Sequence, residues 1–283
     1  FTKVAEDEVR SGRRVLIIAH RGELLEQARD KIEKVTGLKC SLEKAESTCL
    51  DDFFRIVVGS VQTLQSDRRL SRFSNDYFDT IIIDEAHHSI SQSYQNVLAH
   101  FDSARVLGVT ATPDRSDMRN LGEYYEGLAH EHTLPRGIKD GYLSPIRALT
   151  VALSIDINEV AMSSGDFKAS DLGNALDPYL EQIATEMETY CRNRKTVVFL
   201  PLVSTSMKFT EILNRHGFKA AEVNGESENR KSILDDFDND VTNILCNSML
   251  LTEGWDCPSV DCVIILRATK SRSLYSQMVG RGT

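Results

Sequence analysis

Two adjacent carboxylates, Asp84 and Glu85, follow directly after the apolar run at residues 80–83. A β-branched run bounded by polar residues predicts a buried parallel strand, and open α/β sheets present their ligands at the carboxyl ends of such strands. The pair therefore lies where a Mg²⁺-bound nucleotide would be held. The alternative is that the two carboxylates only cap a following helix, whose N-terminus favours negative charge.

Six further segments carry functional-looking patterns in a fixed order along the chain. They cover residues 19–27, 58–64, 110–113, 197–206, 252–256 and 277–281. With Asp84-Glu85-Ala86-His87 as motif II, they resemble motifs Ia, Ib, III, IV, V and VI of superfamily-two helicases and translocases. The branch indicated is the one with a DEAH-type box, similar to type III restriction motors. One tetrapeptide alone would be a weak signal, whereas seven motifs in family order are specific.

The resemblance implies an α/β fold of two tandem RecA-like domains, each a doubly wound parallel sheet. Residue periodicity agrees, because buried strand patterns alternate with amphipathic helix patterns in both halves. Predicted strands cover residues 13–19, 55–59, 80–83, 105–109, 196–200, 220–223, 242–246 and 261–266. Predicted helices cover residues 1–11, 23–35, 178–191, 204–216 and 230–237.

The alternation breaks between the two halves. Ser144-Pro145 disfavours a helix, residues 146–155 predict an isolated extended strand, and residues 162–165 are typical of a loop. We therefore expect an ATP-binding domain at residues 1–141, a hinge at 142–165 and a C-terminal helicase domain at 166–283.

In the first domain the resemblance gives each motif residue a role. Asp84 would hold Mg²⁺ through water, and Glu85 would be the catalytic base. His87 would couple the nucleotide site to motif III or VI through hydrogen bonds. Thr110 and Thr112 would relay hydrogen bonds between the carboxylates and the second domain, although a turn-forming role for Thr112 remains open.

The second domain would supply the other half of the site. By resemblance, Arg281 faces the γ-phosphate, and Gln277 contacts the nucleotide or orients the attacking water. Gly254 permits a tight turn, Asp256 contacts ribose or the motif VI arginines, and Gly280 belongs to the nucleotide-binding set. The tryptophan at position 255 is expected in the core.

The family's backbone-contacting motifs imply nucleic-acid binding by Arg21, Gln62, Thr63, Thr252 and Arg230. Residues 224–230 resemble a family loop near motif IV, in which Gly225 would allow the turn. Phosphate contacts give salt-sensitive affinity without sequence preference, and no base-reading element is visible. Taken alone, the net charge of −9 argues against a nucleic-acid partner. A local groove that binds the nucleic-acid backbone, however, needs no basic surface elsewhere on the protein.

The expected cofactors are ATP and Mg²⁺, and the expected partner is nucleic acid, DNA in the first place. The resemblance also allows an additional downstream domain or subunit. No apolar stretch of 18 residues and no signal peptide occur, so no membrane association and a cytoplasmic location are expected. The six cysteines show no zinc-ligand spacing.

The family also has a phosphate-binding loop before motif Ia and a second arginine in motif VI. We expect the first upstream of Phe1 and the second just beyond Thr283, which would leave this stretch alone catalytically silent. The leading hypothesis is an ATP-dependent DNA helicase or translocase. The alternatives are a non-unwinding translocase subunit of a restriction-type complex and a non-hydrolysing nucleic-acid-binding module.

Overall fold

The computed structural model describes residues 1–19, 22–45, 47–111, 121–151, 160–163, 165–252 and 254–283. The chain divides into two compact units, Phe1–His130 and Glu131–Thr283. Each unit is described by itself below.

The first unit is built on a parallel sheet of five strands in the order β2-β3-β1-β4-β5. Its strands are β1 (Val15–Ala19), β2 (Cys40–Glu43), β3 (Ile56–Ser60), β4 (Thr80–Asp84) and β5 (Arg105–Val109). Its helices are α1 (Thr2–Arg10), α2 (Gly22–Thr36), α3 (Val61–Leu64), α4 (Asp67–Leu70) and α5 (Gln92–His100). Short 3₁₀ helices cover Cys49–Asp51 and Ala86–Ile90.

Both faces of this sheet are covered around β1, β3 and β4, which explains why these three strands are nearly continuous apolar runs. In β1, Leu16 and Ile18 pack into one core, while Val15 and Ile17 pack into the core on the opposite face. Alternation of successive side chains across a strand produces this division. Each such side chain contributes roughly 1.5–3 kcal/mol when fully buried.

The second unit contains a parallel sheet of four strands in the order β11-β8-β10-β9 and a two-stranded antiparallel hairpin. The hairpin strands are β6 (Met162–Ser163) and β7 (Asp166–Phe167), and the sheet strands are β8 (Thr196–Phe199), β9 (Ala220–Glu222), β10 (Ile244–Asn247) and β11 (Cys262–Ile265). The helices are α6 (Leu134–Lys139), α7 (Ala169–Leu176), α8 (Leu180–Tyr190), α9 (Val203–Arg215), α10 (Arg230–Asp238) and α11 (Arg272–Gly280). Short 3₁₀ helices cover Asp177–Tyr179 and Leu250–Thr252.

The α/β class with two parallel sheets is confirmed, and local differences remain. The expected strand at residues 146–155 is wrong for 146–151, which form no regular element, and 152–155 lie outside the described residues. Trp255 is 8% exposed and packs near Phe237, so its predicted core position is confirmed. The predicted hinge at 142–165 stays a prediction. Among the described residues, none of the helices has the length and apolar character needed to cross a membrane.

Candidate nucleotide and nucleic-acid sites

The carboxylates of Asp84 and Glu85 lie at the carboxyl end of β4, which stands between β1 and the edge strand β5 in the first sheet. Glu85 has φ 52° and ψ 59°, a left-handed conformation, and its backbone N–H donates to Asp84 Oδ1 at 3.1 Å. A left-handed conformation is costly for a side chain with a Cβ, and such strain clusters at functional positions. This bend ends the strand between the two carboxylates.

His87 follows in the 3₁₀ helix, beside the carboxylate of Glu85. Its Nδ1 lies 3.5 Å from Glu85 Oε2, and its ring centroid lies 4.1 Å from that of His88. Both Glu85 and His87 are mostly buried, with side-chain exposures of 20% and 17%. The imidazole therefore lies beside the carboxylate of the predicted base, and the coupling role of His87 stays a prediction.

Thr110 joins this group because β5 is the neighbour of β4. Asp84 is paired in register with Val109, the residue before Thr110, and Thr110 is half-buried. Gly108 permits the close approach, since a Cβ there would lie 2.8 Å from the Cβ of Ala86. The second predicted relay residue, Thr112, lies outside the described residues.

The donor chemistry at this edge fits the predicted cofactor. Mg²⁺ takes oxygen ligands, usually one or two carboxylates with substrate phosphates and water. Asp84 offers a half-buried carboxylate at the strand end, with the Glu85 carboxylate one residue away. Asp84 is therefore the residue that would hold the ion.

In the second unit, the motif V turn and the end of motif VI are tied together by one guanidinium. Arg281 Nη2 donates to the carbonyl of Thr252 at 2.7 Å, and Nη1 donates to the carbonyl of Trp255. Gly254 lies between these carbonyls with φ 69°, in the region that favours glycine. The exposed Asp256 follows directly.

Helix α11 carries the two remaining nucleotide-site predictions. Gln277 is 9% exposed, and Gly280 is exposed at the end of the helix. A Cβ at Gly280 would meet no atom within 4 Å, so packing inside this unit does not require glycine there. Contact of these residues with nucleotide stays a prediction.

In the first unit, motif Ib is held by hydrogen bonds around the end of β3. Ser60 Oγ donates to Gln62 Oε1 at 2.7 Å, and Thr63 Oγ1 accepts from the backbone N–H of Ala45 at 3.0 Å. Gln62 is exposed and Thr63 is half-buried. Arg21, the predicted motif Ia contact, lies outside the described residues.

The second unit holds the other two predicted nucleic-acid contacts in local hydrogen bonds. Thr252 is 4% exposed and donates through its hydroxyl to the carbonyl of Met249 at 2.6 Å. Arg230 Nη2 donates to the carbonyl of Gly225 at 2.8 Å. Gly225 itself does not have a positive φ, and a Cβ there would meet no atom within 4 Å, so the turn is compatible with glycine without depending on it. Nucleic-acid contact by Thr252 and Arg230 stays a prediction.

A buried ion pair next to motif Ib escaped the sequence reasoning. Glu43, at the end of β2, is 0% exposed; its Oε1 lies 3.1 Å from Arg69 Nε, and its Oε2 accepts from Cys49 N–H at 2.8 Å. Arg69 also donates to the carbonyl of Ala45, whose N–H is the donor to Thr63. The pair therefore fixes the turn after β2 against motif Ib. An acidic residue directly after a short partly apolar segment is the signal that could have revealed it.

Comparison with known proteins matches a different family model to each half of the chain. The family model described as "Type III restriction enzyme, res subunit" matches residues 2–115, and the one described as "Helicase conserved C-terminal domain" matches residues 179–283. A Saccharomyces cerevisiae protein named as the ATP-dependent helicase IRC3 is 30% identical over 94% of this chain and 40% of its own length. The EcoAI endonuclease subunit, from a type I restriction enzyme of Escherichia coli, is 23% identical over 96% of this chain and 38% of its own length.

Among solved structures, a fragment described as an HsdR subunit of a type I restriction enzyme from Vibrio vulnificus YJ016 aligns with TM-score 0.73. It is 28% identical and covers 96% of this chain and 50% of its own. The chain thus spans half or less of the length of these relatives.

Two parallel-sheet units, with carboxylates at a strand end in one and an arginine directly after the last helix of the other, define a tandem RecA-like core. The order of the motifs and the two matching family models indicate the same superfamily. The chain belongs to the superfamily-two helicases and translocases.

Proposed function

We propose that this chain is the motor core of an ATP-dependent enzyme that moves along or unwinds nucleic acid, with DNA as the expected substrate. The observation that carries the proposal is the group at the end of β4. Glu85 is bent into a left-handed conformation beside Asp84, and His87 Nδ1 lies 3.5 Å from its carboxylate. Hydrolysis of a nucleoside triphosphate requires this combination of a metal-holding carboxylate and an oriented base.

In the proposed reaction Asp84 would hold Mg²⁺, and the bound ion would supply positive charge next to the phosphates. Glu85 accepts the proton of the attacking water, and a base held in position typically contributes a factor of roughly 10²–10⁴ in rate. His87 keeps the Glu85 carboxylate in place. Thr110, at the end of the neighbouring strand, is suited to pass a hydrogen bond onward from this edge.

The proposed role of Arg281 is to neutralise charge that develops on the γ-phosphate. Its two contacts with the carbonyls of Thr252 and Trp255 support this role, because a guanidinium held by fixed carbonyls keeps its orientation. Such arginines are worth roughly 10³–10⁵ in rate in related phosphoryl-transfer enzymes. The same contacts would couple motif V, a predicted nucleic-acid contact, to the nucleotide.

Glu85→Gln in the full-length protein tests the catalytic assignment. The amide keeps the shape of the side chain but cannot accept the proton, so we expect steady-state ATPase to fall by roughly 10²-fold or more while Mg²⁺-ATP binding persists. Glu211→Gln, an exposed glutamate in α9, is the matched control and should retain wild-type turnover. Wild-type turnover in Glu85→Gln would remove Glu85 as the base.

The same assay tests the alternative that the chain is a non-hydrolysing nucleic-acid-binding module. A wild-type ATPase stimulated by nucleic acid, and lost in Glu85→Gln, excludes a purely binding module. The assay compares single-stranded DNA, duplex DNA and RNA. Its salt dependence should be steep and its sequence dependence small, because the predicted contacts are to the backbone.

A second candidate is a translocase that moves on duplex DNA without separating its strands. The similarity to the HsdR fragment, at 28% identity over 96% of this chain, favours it. Displacement of a third strand from a triplex without unwinding of a forked duplex would support the translocase. Unwinding of the fork would support the helicase. An additional domain or subunit and a cytoplasmic location stay predictions.

A further inference from the structure

Two thiols outside both half-sites lie in contact in the second unit. Cys191 Sγ and Cys262 Sγ are 3.8 Å apart, although the residues are 71 positions apart in sequence. Cys191 follows the last turn of α8, and Cys262 begins β11, an edge strand of the sheet. Both side chains pack in the same apolar core.

The two thiols differ in access to solvent. Cys191 is 3% exposed, whereas Cys262 is partly exposed along with the rest of β11. The edge position explains this, since among the strands that the structure describes β11 pairs with β8 alone. A small reagent can therefore reach Cys262 first.

The two thiols also differ in acidity. The contact between the two sulfur atoms, in which either S–H can be the donor, lowers the pKa of Cys262 below the ordinary thiol value and raises that of Cys191. Thr196 and Arg194 act in the same direction on Cys262, while its burial and Asp261 act against them. Burial raises the pKa of the other four thiols, at Cys40, Cys49, Cys246 and Cys257. Cys262 is thus the thiol with the most thiolate character, and the thiolate is the reactive form.

We propose that Cys191 and Cys262 form a modification site that takes a small-molecule disulfide, such as oxidised glutathione, and ends as an internal disulfide. Cys262 Sγ attacks one sulfur of the reagent; its S–S bond breaks, one thiol leaves, and the proton of Cys262 goes to it through solvent. Cys191 Sγ then attacks Cys262 Sγ, and the second thiol leaves with the proton of Cys191. Two protein thiols are oxidised, and one reagent disulfide is reduced to two thiols.

The bond would tie the end of α8 to the edge strand of the sheet. It would close a loop of about 70 residues that contains motifs IV and V, and a long closed loop restricts the unfolded chain strongly. We expect oxidation to raise the melting temperature of the second unit by up to roughly 10 °C. Local strain in the new bond would reduce that gain.

The test titrates the purified full-length protein with buffers of oxidised and reduced glutathione, followed by alkylation and peptide mass mapping. We expect a Cys191–Cys262 cross-link with loss of two alkylation sites, leaving four of the six cysteines of this chain. Cys191→Ser should stop at a stable mixed disulfide of glutathione on Cys262, while Cys262→Ser should take up no glutathione at Cys191. Cys257→Ser is the control and should form the cross-link like the wild type.

Three results would overturn the proposal. One is full alkylation of both cysteines in a large excess of oxidised glutathione. Another is a cross-link that joins other cysteines. The third is the reverse asymmetry, with the mixed disulfide on Cys191 in Cys262→Ser.

Discussion

Replacement of Glu43 by glutamine should destabilise the first unit and weaken nucleic-acid binding, although Glu43 is fully buried. The carboxylate faces the Arg69 guanidinium at 3.1 Å and accepts from Cys49 N–H at 2.8 Å. Removing one partner of a buried pair leaves the other charge uncompensated, which costs about 3–5 kcal/mol. Glutamine keeps an acceptor for Cys49, so we expect the lower end, about 3 kcal/mol.

A double-mutant cycle separates the pair from the burial of each residue. Arg69→Met should also cost about 3 kcal/mol, because it leaves the carboxylate buried without a cation. The combined variant should lose less than the two losses added together, by about 2 kcal/mol, since neither charge then remains unpaired. Glu26→Gln is the control: its partner Lys44 lies in the same loop, but this pair is partly exposed and should be worth less than about 1 kcal/mol.

Urea unfolding of the first unit gives the energies, and hydrogen exchange at the Cys49 amide reports the local change. The turn after β2 supports Thr63, so the apparent KM for nucleic acid in the ATPase assay should rise while basal turnover stays unchanged. Additive losses, with a coupling below about 0.5 kcal/mol, would show that the two charges act independently and would refute the reasoning.

Three further predictions concern the second unit and the hinge. Asp166 accepts from Lys270 N–H and from Thr269 Oγ1, both at 2.8 Å, so Asp166→Asn should cost about 1.5 kcal/mol and raise hydrogen exchange at the Lys270 amide. The Glu188 and Glu181 carboxylates raise the pKa of His216 in the folded protein. The contribution of His216 to the stability of the fold is therefore complete below the pKa that histidine has in the unfolded chain, and it is lost as the pH rises through the pKa of the folded protein. The melting-temperature gap between wild type and His216→Gln should narrow from about pH 5 to about pH 9, and a constant gap would contradict this. Limited proteolysis should cut first between residues 142 and 170, and protection there with cuts inside either sheet would refute the hinge.

The strands that the sequence predicts correctly are those with continuous apolar runs. β1 and β4 are buried on both faces, and their continuous apolar residues predict this burial without any information about the neighbouring strands. β2 was missed because Cys40-Ser41-Leu42-Glu43 is short and mixed. Its identity comes from pairing with β3, a contact that local pattern does not contain.

The candidate site also has features that the sequence predicts and features that only the structure shows. The residue types of motif II and their place at a strand end follow from the sequence, because the apolar run sets where the strand stops. The left-handed bend at Glu85 does not, since φ 52° is unusual for a residue with a Cβ and is imposed by the turn into the 3₁₀ helix. The contacts of Arg281 do not follow from the sequence either. Its partners are backbone carbonyls about 25–30 residues away, and a motif of side-chain types contains no information about them.

These contacts have a consequence for how the motor would work. On the proposed roles, the neighbours of each functional group lie inside its own unit: His87 Nδ1 lies 3.5 Å from the Glu85 carboxylate, and the motif V carbonyls accept hydrogen bonds from Arg281. Groups that are already oriented need no further ordering when substrate arrives, and such preorganisation is a main source of electrostatic catalysis. A change in the motif V turn would therefore act on the arginine directly. On the proposed function, nucleic acid bound at motif V and nucleotide faced by Arg281 would be coupled through the two carbonyls of Thr252 and Trp255.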